Sequence, residues 1–539
     1  MSRATIPVLI IGAGPVGLSL AVDLAYHGIA STIVDQGAGA GAELVGKAGQ
    51  LNERSMEFCR KWGVAEAADS WGAPPDPPNE TVFCTAITGG HVFGRSRSSR
   101  PRSPHSPGKW TKCPQTEFDP LMSRAAKASG KVSMRYHTRY LSLRQEPDCV
   151  VATFEDTRTG EKFDLVAAYV VACDGATSAV RTELAIPYEG RMLDYSLSVM
   201  LDIENFATFT GEPTVERFLL VGDRGAWSNL TFMDYRRMWR FVMVGSETRL
   251  DPNTLDIRGE ITRAMGRSDV PYEVLKMAPW RRSECTAREF RAGRVLLAGD
   301  AAHTTSPTGG HGLNTGLGDV QGLGWMLAAV LEGWAEPSLL DAYTLERRPV
   351  AIRNGATSTA NYRAWVGETD FSGIFKEGPG GDDARSAIGA SLKRGTHYEW
   401  NSLGIVLGYR YEGSPLIVPD GTPETPDEVD TYVPTARPGH RAPHAWLADG
   451  RSTLDLFGHG YTLLRLGRNA PDAATMTNEA ARQRVPLTVQ SVNDSAVEAL
   501  YERPLVLVRP DGHVAWRGDA PPANVSALFK TLRGVWSTA

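Results

Sequence analysis

The chain is predicted to be an α/β protein, and three observations carry that prediction. A buried strand, a glycine-rich turn and a helix follow one another at the N-terminus. Between about 187 and 285 the texture changes to strand-like segments rich in aromatics, and after residue 400 a compact α/β pattern returns. The expected architecture is a Rossmann-like unit interrupted by a mostly antiparallel β-sheet and followed by a further α/β domain. A length of 539 residues suggests about two to four domains at ~150 residues each.

Composition narrows the class. With 42% hydrophobic and 22% charged residues the chain is that of a soluble globular protein, which excludes overall disorder. A formal net charge of -5 offers nucleic acid or an anionic membrane no whole-chain attraction. One basic cluster, RSRSSRPR at 95–102, reads as a solvated loop, because Ser, Arg and Pro bury little. The six cysteines (59, 84, 113, 149, 173 and 285) form no CxxC and no zinc spacing, as expected of a reduced, cytoplasmic protein. The apolar start PVLIIGAGPVGLSLAV has the hydrophobicity of a signal peptide. Its glycines and Asp23 fit a buried strand-turn-helix better, so neither a cleaved segment nor a transmembrane span is expected.

In chain order, 7–11 reads as a buried parallel strand, 15–26 as a helix stopped at Gly28, and 30–34 as a second strand ending at Asp35. Helices are predicted over 52–62 and 116–128, and short strands over 165–172 and 294–298. Pro/Ser-rich loops lie at 74–79 and 96–108. The segments SLSVMLDIE, ERFLLVG, SNLTFM and WRFVMVG predict the antiparallel sheet. Long helices are expected over 313–331 and from 339 to about 362, with a break at GPGGDD, 378–383. The Pro-rich stretch PDGTPETPDEVD leads into the last domain.

Two glycine-rich turns carry chemistry. In Gly12-Ala13-Gly14-Pro15-Val16-Gly17, the first glycine permits a tight turn, the second lets backbone approach a pyrophosphate, and the third lets helix and strand pack closely. Asp35 stands 21 positions after Gly14 (35 − 14), at the end of the second strand, where a carboxylate accepts hydrogen bonds from an adenosine ribose. Together these features indicate a dinucleotide rather than a structural turn. The second stretch is LLAGDAAHTTSPTGGHGLNTGLG, 296–318. Its strand delivers Asp300, and Gly309, Gly310 and Gly312 lead into a helix near Leu313. A helix N-terminus offers unpaired N–H groups to the electron-rich edge of a reduced flavin, and glycines let a flat ring lie on bare backbone. No metal is expected: Asp300, His303 and His311 have no helix spacing that would converge them.

The segments 12–17, Asp174-Gly175-Ala176-Thr177-Ser178-Ala179-Val180-Arg181 and Gly299-Asp300-Ala301-Ala302-His303 resemble, in order and spacing, the three fingerprints of the FAD-dependent aromatic hydroxylases, the single-component flavoprotein monooxygenases. The resemblance covers residues 5 to about 355. It extends more weakly to the end, where LGYRYEGSPLI and RPGHRAPHAWL are similar to the phenol hydroxylase and polyketide hydroxylase branch. It implies an FAD-binding domain in two parts, 1–186 (with a substrate-side insertion near 75–108) and 285–400 with connecting helices. Residues 187–284 would form the substrate-binding sheet, and 401–539 a thioredoxin-like α/β domain. Within the first turn, Gly12, Gly14, Pro15 and Gly17 would cradle FAD, with Asp35 and Gln36 at the adenosine ribose. Lys47 would reach the pyrophosphate region, and Arg54 lies in the helix that follows. Gln115 would meet the ribityl chain, a backbone group at Tyr140 the adenine, Asp174 the space between FAD and the NAD(P)H approach, and Asp300 the ribityl hydroxyls. Pro307, Gly310, Gly312, Leu313 and Asn314 would line the isoalloxazine. For Asp174 and Arg181 a structural ion pair at a strand-to-helix turn is an equal reading.

The chemistry so implied is hydroxylation of a phenolic or polycyclic aromatic small molecule. NAD(P)H reduces the flavin, dioxygen adds at its C4a carbon, and the hydroperoxide passes one oxygen to an electron-rich ring. Pro307 beside the ring, with Tyr235 and Arg236 of the antiparallel sheet, are the candidates at the reacting centre. Tyr188, Asp194, Tyr195, Trp227, Arg237 and Trp239 are further candidates to line the pocket, with sheet packing as the alternative for each. The stretch Gly49-Gln50-Leu51 lacks the ionisable group that some relatives carry there, so it supplies no base. Three more departures from the family are Lys47 for arginine, His311 for glutamine and Gly322 for asparagine. The last domain contains no cysteine, which leaves it a structural role or a homodimer contact. His440 and His444 flank a proline and are not expected to pair as metal ligands. The competing readings are an oxidase, a halogenase (whose WxWxIP signature is absent) and a non-catalytic binding protein of the GDP-dissociation-inhibitor type.

Overall fold

The computed structural model describes residues 5–41, 49–71, 74, 78–97, 102–367 and 369–536, so Lys47 lies outside the described residues. The first sheet runs Arg291–Ala292, Val295–Leu297, Lys162–Ala172, Ile6–Ile11, Ser31–Val34, Val132–Arg135. Its central pairs are parallel, and Thr138–Gln145 and Val150–Asp156 extend Lys162–Ala172 as an antiparallel flap. The near-continuous apolar run IPVLII is what a strand covered on both faces requires. Helix Pro15–Tyr26 packs on helices Gln115–Ala128 and His311–Leu331. Val295–Leu297 joins the sheet only after every strand of the second sheet except His303–Thr304 has been passed, so the first unit closes around an insertion.

The second sheet has the order His303–Thr304, Glu273–Ala287, Tyr188–Asp202, Met238–Ser246, Gly225–Phe232, Val215–Gly222, Glu80–Cys84, Val92–Arg97. All its pairs are antiparallel except Val215–Gly222 with Glu80–Cys84. Helix Ile257–Met265 covers one face, over Leu197, Val199, Phe218, Leu230 and Phe241. Helices Asp341–Val366 and Pro379–Gly395 cover part of the other, over Phe83, Leu219 and Val221. Because Val295–Leu297 belongs to the first sheet and His303–Thr304 to the second, the 299–302 turn crosses the seam between them.

The third sheet, Leu487–Val492, Tyr461–Leu466, Leu505–Val508, Val514–Gly518, has one parallel pair and two antiparallel ones, and helices Ala474–Arg482, Ser495–Tyr501 and Val525–Leu532 accompany it. Two local expectations are corrected. GPGGDD does not end regular structure but starts a helix, Pro379–Gly395: Gly378 caps it at φ +75 and Pro379 occupies the first position, where no N–H is needed. Of the basic cluster, Arg95 to Arg97 form strand rather than loop, because Arg95 pairs with Glu80 and Glu212; residues 98–101 lie outside the described residues.

Candidate active site

The first turn is shaped by close approach. Gly12 has φ +108, and a Cβ there would lie 2.3 Å from the Cys173 carbonyl oxygen. A Cβ on Gly17 would lie 2.0 Å from the Gly12 carbonyl oxygen, so helix and strand touch backbone to backbone. Gly14 is different: a Cβ there meets nothing within 4 Å. Asp35 closes the turn from the neighbouring strand, accepting from the Ala13 N–H at 2.8 Å and the Gly37 N–H at 2.7 Å. Gln36 beside it is exposed.

The three glycine-bearing turns meet. Gly12 backs onto Cys173 and Asp174 of the second. Val16 sits against the third, since a Cβ on Gly299 or Gly316 would lie 2.9 or 2.6 Å from its Cγ2. Arg181 ties the second turn to the third, donating to the Ala301 carbonyl at 2.8 Å and the Ala176 carbonyl at 3.0 Å while its guanidinium lies 3.8 Å from the Tyr188 ring centroid. Tyr188 donates to the Asp300 carbonyl at 3.2 Å. Asp174 accepts from the Val180 N–H through Oδ2 and keeps a buried Oδ1 with no hydrogen-bond partner, and burial raises its pKa. The guanidinium of Arg181 thus bonds to the Ala301 and Ala176 carbonyls rather than to Asp174 in the ion pair expected from sequence.

The third turn is held from beneath. Asp319, buried in helix His311–Leu331, accepts from the Gly299 N–H at 3.1 Å and from Arg347 Nε at 2.9 Å, and its Oδ2 is 2.7 Å from His303 Nε2. Burial opposes the Asp319 charge, yet His303 and Arg347 outweigh it and hold the pKa below the usual carboxylate range. Asp300 is exposed in the Gly299–Ala301 turn, and so is Pro307. Gly310 caps the helix at φ +72, its N–H bonded to the Pro307 carbonyl at 3.0 Å. Gly312 and Leu313 are partly exposed in the first helical turn.

The side chains of four predicted site residues bond to protein groups. The Asn314 amide accepts from the Asn52 N–H (2.9 Å) and Ser55 Oγ (2.6 Å) and donates to the Gln50 and Gly310 carbonyls, which locks helix Glu53–Lys61 to helix His311–Leu331. Arg54 is buried and donates to Glu57, Tyr409 and the Asp511 carbonyl, all protein groups. Gln115 donates to Asp119 at 3.0 Å, and the Tyr140 hydroxyl donates to Glu183 at 2.5 Å. Arg236 is exposed in the hairpin turn after Gly225–Phe232.

Tyr235, by contrast, is drawn toward the seam. It takes φ 55 because Asp234 Oδ1 gathers the N–H groups of Arg236, Arg237 and Met238. Its ring stacks on Trp71 (6.1 Å) and carries Lys112 Nζ 4.2 Å from its centroid. Lys112 bonds Glu216 at 2.8 Å and the Phe232 carbonyl at 2.5 Å, burial lowers its pKa, and its strand partner is Gln50. A Cβ on Gly310 would lie 2.8 Å from Gln50 Oε1, so the chain of contact reaches the third turn. A second polar cluster underlies Pro307, in which Asp194 is a candidate from sequence and its partners are not: Arg282 donates to Asp194 at 3.0 Å and to Ser306 at 2.9 Å, and the Tyr362 hydroxyl also donates to Asp194. The Trp-Arg-Arg alternation that aims Arg282 alongside Trp280 was the one available signal. Among the described residues no three His, Cys, Asp or Glu side chains are grouped to hold a metal ion, and no helix is long and apolar enough to cross a membrane.

Known proteins share this arrangement. Residues 5–357 match the FAD binding domain family, and residues 435–539 match the C-terminal domain of aromatic-ring hydroxylases. The chain is 34% identical to a putative polyketide hydroxylase of Streptomyces halstedii, over 99% of this chain and 97% of that protein. The rebeccamycin biosynthetic enzyme RebC, solved with reduced flavin, is 37% identical with a TM-score of 0.89, over 99% of this chain and 100% of RebC. Aklavinone-11 hydroxylase, solved with FAD and aklavinone, is 28% identical with a TM-score of 0.80, over 99% of each chain. With its glycine turns, its two joined sheets and its C-terminal unit all matched, the chain belongs to the FAD-dependent aromatic-ring hydroxylases, which are flavoprotein monooxygenases.

Proposed function

We propose that the protein uses NAD(P)H and dioxygen to hydroxylate a phenolic or polycyclic aromatic small molecule, in the cytoplasm. The observation that carries this reading is the meeting of three glycine-bearing turns at one seam between a parallel sheet and an antiparallel one. The residues fit FAD. Open space at Gly14 suits a pyrophosphate, each Asp35 oxygen retains acceptor capacity for a ribose hydroxyl, and the buried Asp174 Oδ1 lacks a partner until a ligand or water supplies one. Asp300, exposed in the 299–301 turn, lies where the ribityl hydroxyls are expected, and the 307–313 turn offers helical N–H groups to the ring. Bound FAD supplies the two-electron chemistry that lets a nicotinamide reductant activate dioxygen.

The protein's own part is to orient, exclude water and handle protons. Arg181 and Asp319 fix the turns that hold the cofactor. The second sheet walls the other side of the seam, where Tyr235 and Lys112 can face an aromatic ring, and Arg282 braces the turn that carries Pro307. The aromatic-ring hydroxylase family match and the polyketide hydroxylase relative support the substrate class. The C-terminal unit, which lacks cysteines, serves structure or self-association. The test is direct. Purified protein should be yellow with FAD, and phenols, naphthols or fused polyketides should stimulate aerobic NAD(P)H consumption with an oxygenated product. Colourless protein that takes up no FAD sinks the reading, and peroxide release without any oxygenated product across these substrates would favour an oxidase.

A further inference from the structure

The turn joining strands Leu505–Val508 and Val514–Gly518 is Arg509-Pro510-Asp511-Gly512-His513. A hairpin turn so rich in ionisable side chains ordinarily faces water. Here Arg509, Asp511 and His513 are 0%, 3% and 1% exposed. The turn is driven between two elements of the FAD-binding part. Toward helix Asp341–Val366, Arg509 makes a two-pronged bond to Glu346, 2.5 Å to Oε1 and 2.7 Å to Oε2, braced by Asp511 Oδ2 at 2.7 Å. His513 stacks on Tyr411 at 4.2 Å. Toward helix Glu53–Lys61, the Asp511 carbonyl accepts from Arg54 at 2.8 Å.

The Glu346 and Arg54 contacts lead on toward the cofactor turns through a few intervening residues. Glu346 is followed by Arg347, which holds Asp319, which in turn holds the Gly299 N–H and His303. Arg54 lies two residues after Asn52, whose N–H goes to Asn314 at the start of helix His311–Leu331. A void of about 20 Å³, room for roughly one water, lies between Arg54, Asn314, Arg347 and Tyr409. We propose that this buried hairpin turn is a positioning wedge: Arg509 and the Asp511 carbonyl set the spacing of the two helices, and thereby place Gln50, Gly299 and Asn314 around the flavin. The proposal rests on the FAD site described above. A buried ion pair is weak evidence for stability but fixes geometry, because the fork of an arginine matches a carboxylate in only one plane.

The test uses the full-length protein. Glu346→Gln removes the charge and half the fork, Arg509→Lys keeps the charge and loses the fork, and Arg503→Ala, in an exposed pair with Asp519, is the control. For each, the FAD dissociation constant of the apo form, the visible spectrum and midpoint potential of bound flavin, and the apo melting temperature are measured. Glu346→Gln is expected to weaken FAD at least roughly tenfold and to shift both spectrum and potential, with Arg509→Lys intermediate and Arg503→Ala unchanged. A merely structural pair would lower the melting temperature and leave the flavin alone. Folded Glu346→Gln that keeps FAD affinity within about twofold, with wild-type spectrum and potential, overturns the wedge; should that variant not fold, Arg509→Lys decides by the same criteria. Wild-type protein that takes up no FAD would instead refute the cofactor site itself.

Discussion

At the scale of single residues, Gly12 and Gly14 look alike in the motif and differ in kind. Gly12 is confined by its own chain, through φ +108 and a Cβ position 2.3 Å from the Cys173 carbonyl oxygen. Gly14 has room for a side chain in the protein alone. Gly12→Ala is therefore expected to cost several kcal/mol of stability, about 3 or more, with or without cofactor. Gly14→Ala should leave the apo melting temperature within the range of about 0.5 kcal/mol typical of a neutral change, while FAD retention is lost because the methyl group stands where the pyrophosphate approaches. Thermal melting of both apo variants, with flavin content of both as purified, checks this. Retained FAD in Gly14→Ala would mean that the pyrophosphate lies elsewhere. The tight turn at Gly12 was legible in sequence, since it is decided by the residue and its immediate neighbours. Arg54 was not, because its acceptor on Asp511 is 457 positions away and no local pattern records it.

Elements were legible where periodicity was strong and misread where one residue type carried two meanings. Strand Ile6–Ile11, helix Pro15–Tyr26 and helix His311–Leu331 announce themselves through apolar runs bounded by glycine. Pro379 does not, since proline ends one helix and begins another with equal ease. Pairings between elements lie further beyond sequence reading, and Asn314 shows the consequence. Its place in the motif predicts a flavin contact, and its side chain also bonds Asn52, Ser55 and the Gln50 carbonyl beside helix Glu53–Lys61, and the Gly310 carbonyl at its own helix cap. Asn314→Ala leaves the partly buried Asn52 N–H and Gln50 carbonyl without this partner, at up to about 1 kcal/mol each, the net worth of an ordinary hydrogen bond. The expected outcome is a lower apo melting temperature together with weakened FAD. Normal stability with lost flavin would return Asn314 to direct cofactor contact.

For the molecule as a whole, the seam between the C-terminal unit and the rest is sensitive to acid. His440, His444 and His513 all belong to that unit and are all buried, and burial first, then nearby arginines, lowers each pKa to about 4. For His513, Asp511 works the other way and is outweighed. Unfolded histidines titrate near 6.5, so between about pH 6.5 and 4 the unfolded chain binds more protons than the native one, and stability must fall as pH falls through that window. Above pH 6.5 these groups are neutral in both states and contribute no slope. Each contributes up to about 1.4 kcal/mol per pH unit within the window. The buried carboxylates titrate later: Asp511 and Asp319 are held below the usual range by their cations, so the histidines act first on acidification. Because His513 lies in the turn wedged beneath the cofactor site, loosening there should release flavin as it proceeds. Melting temperature and free-flavin fluorescence, followed from pH 7.5 to about 5, are expected to change together. His513→Phe keeps a ring against Tyr411 and removes one titrating group, so its stability should depend less steeply on pH than that of the wild type. An unchanged slope in that variant would show that His513 is not neutral in the folded chain, and with it that the wedge is not the acid-sensitive part of the seam.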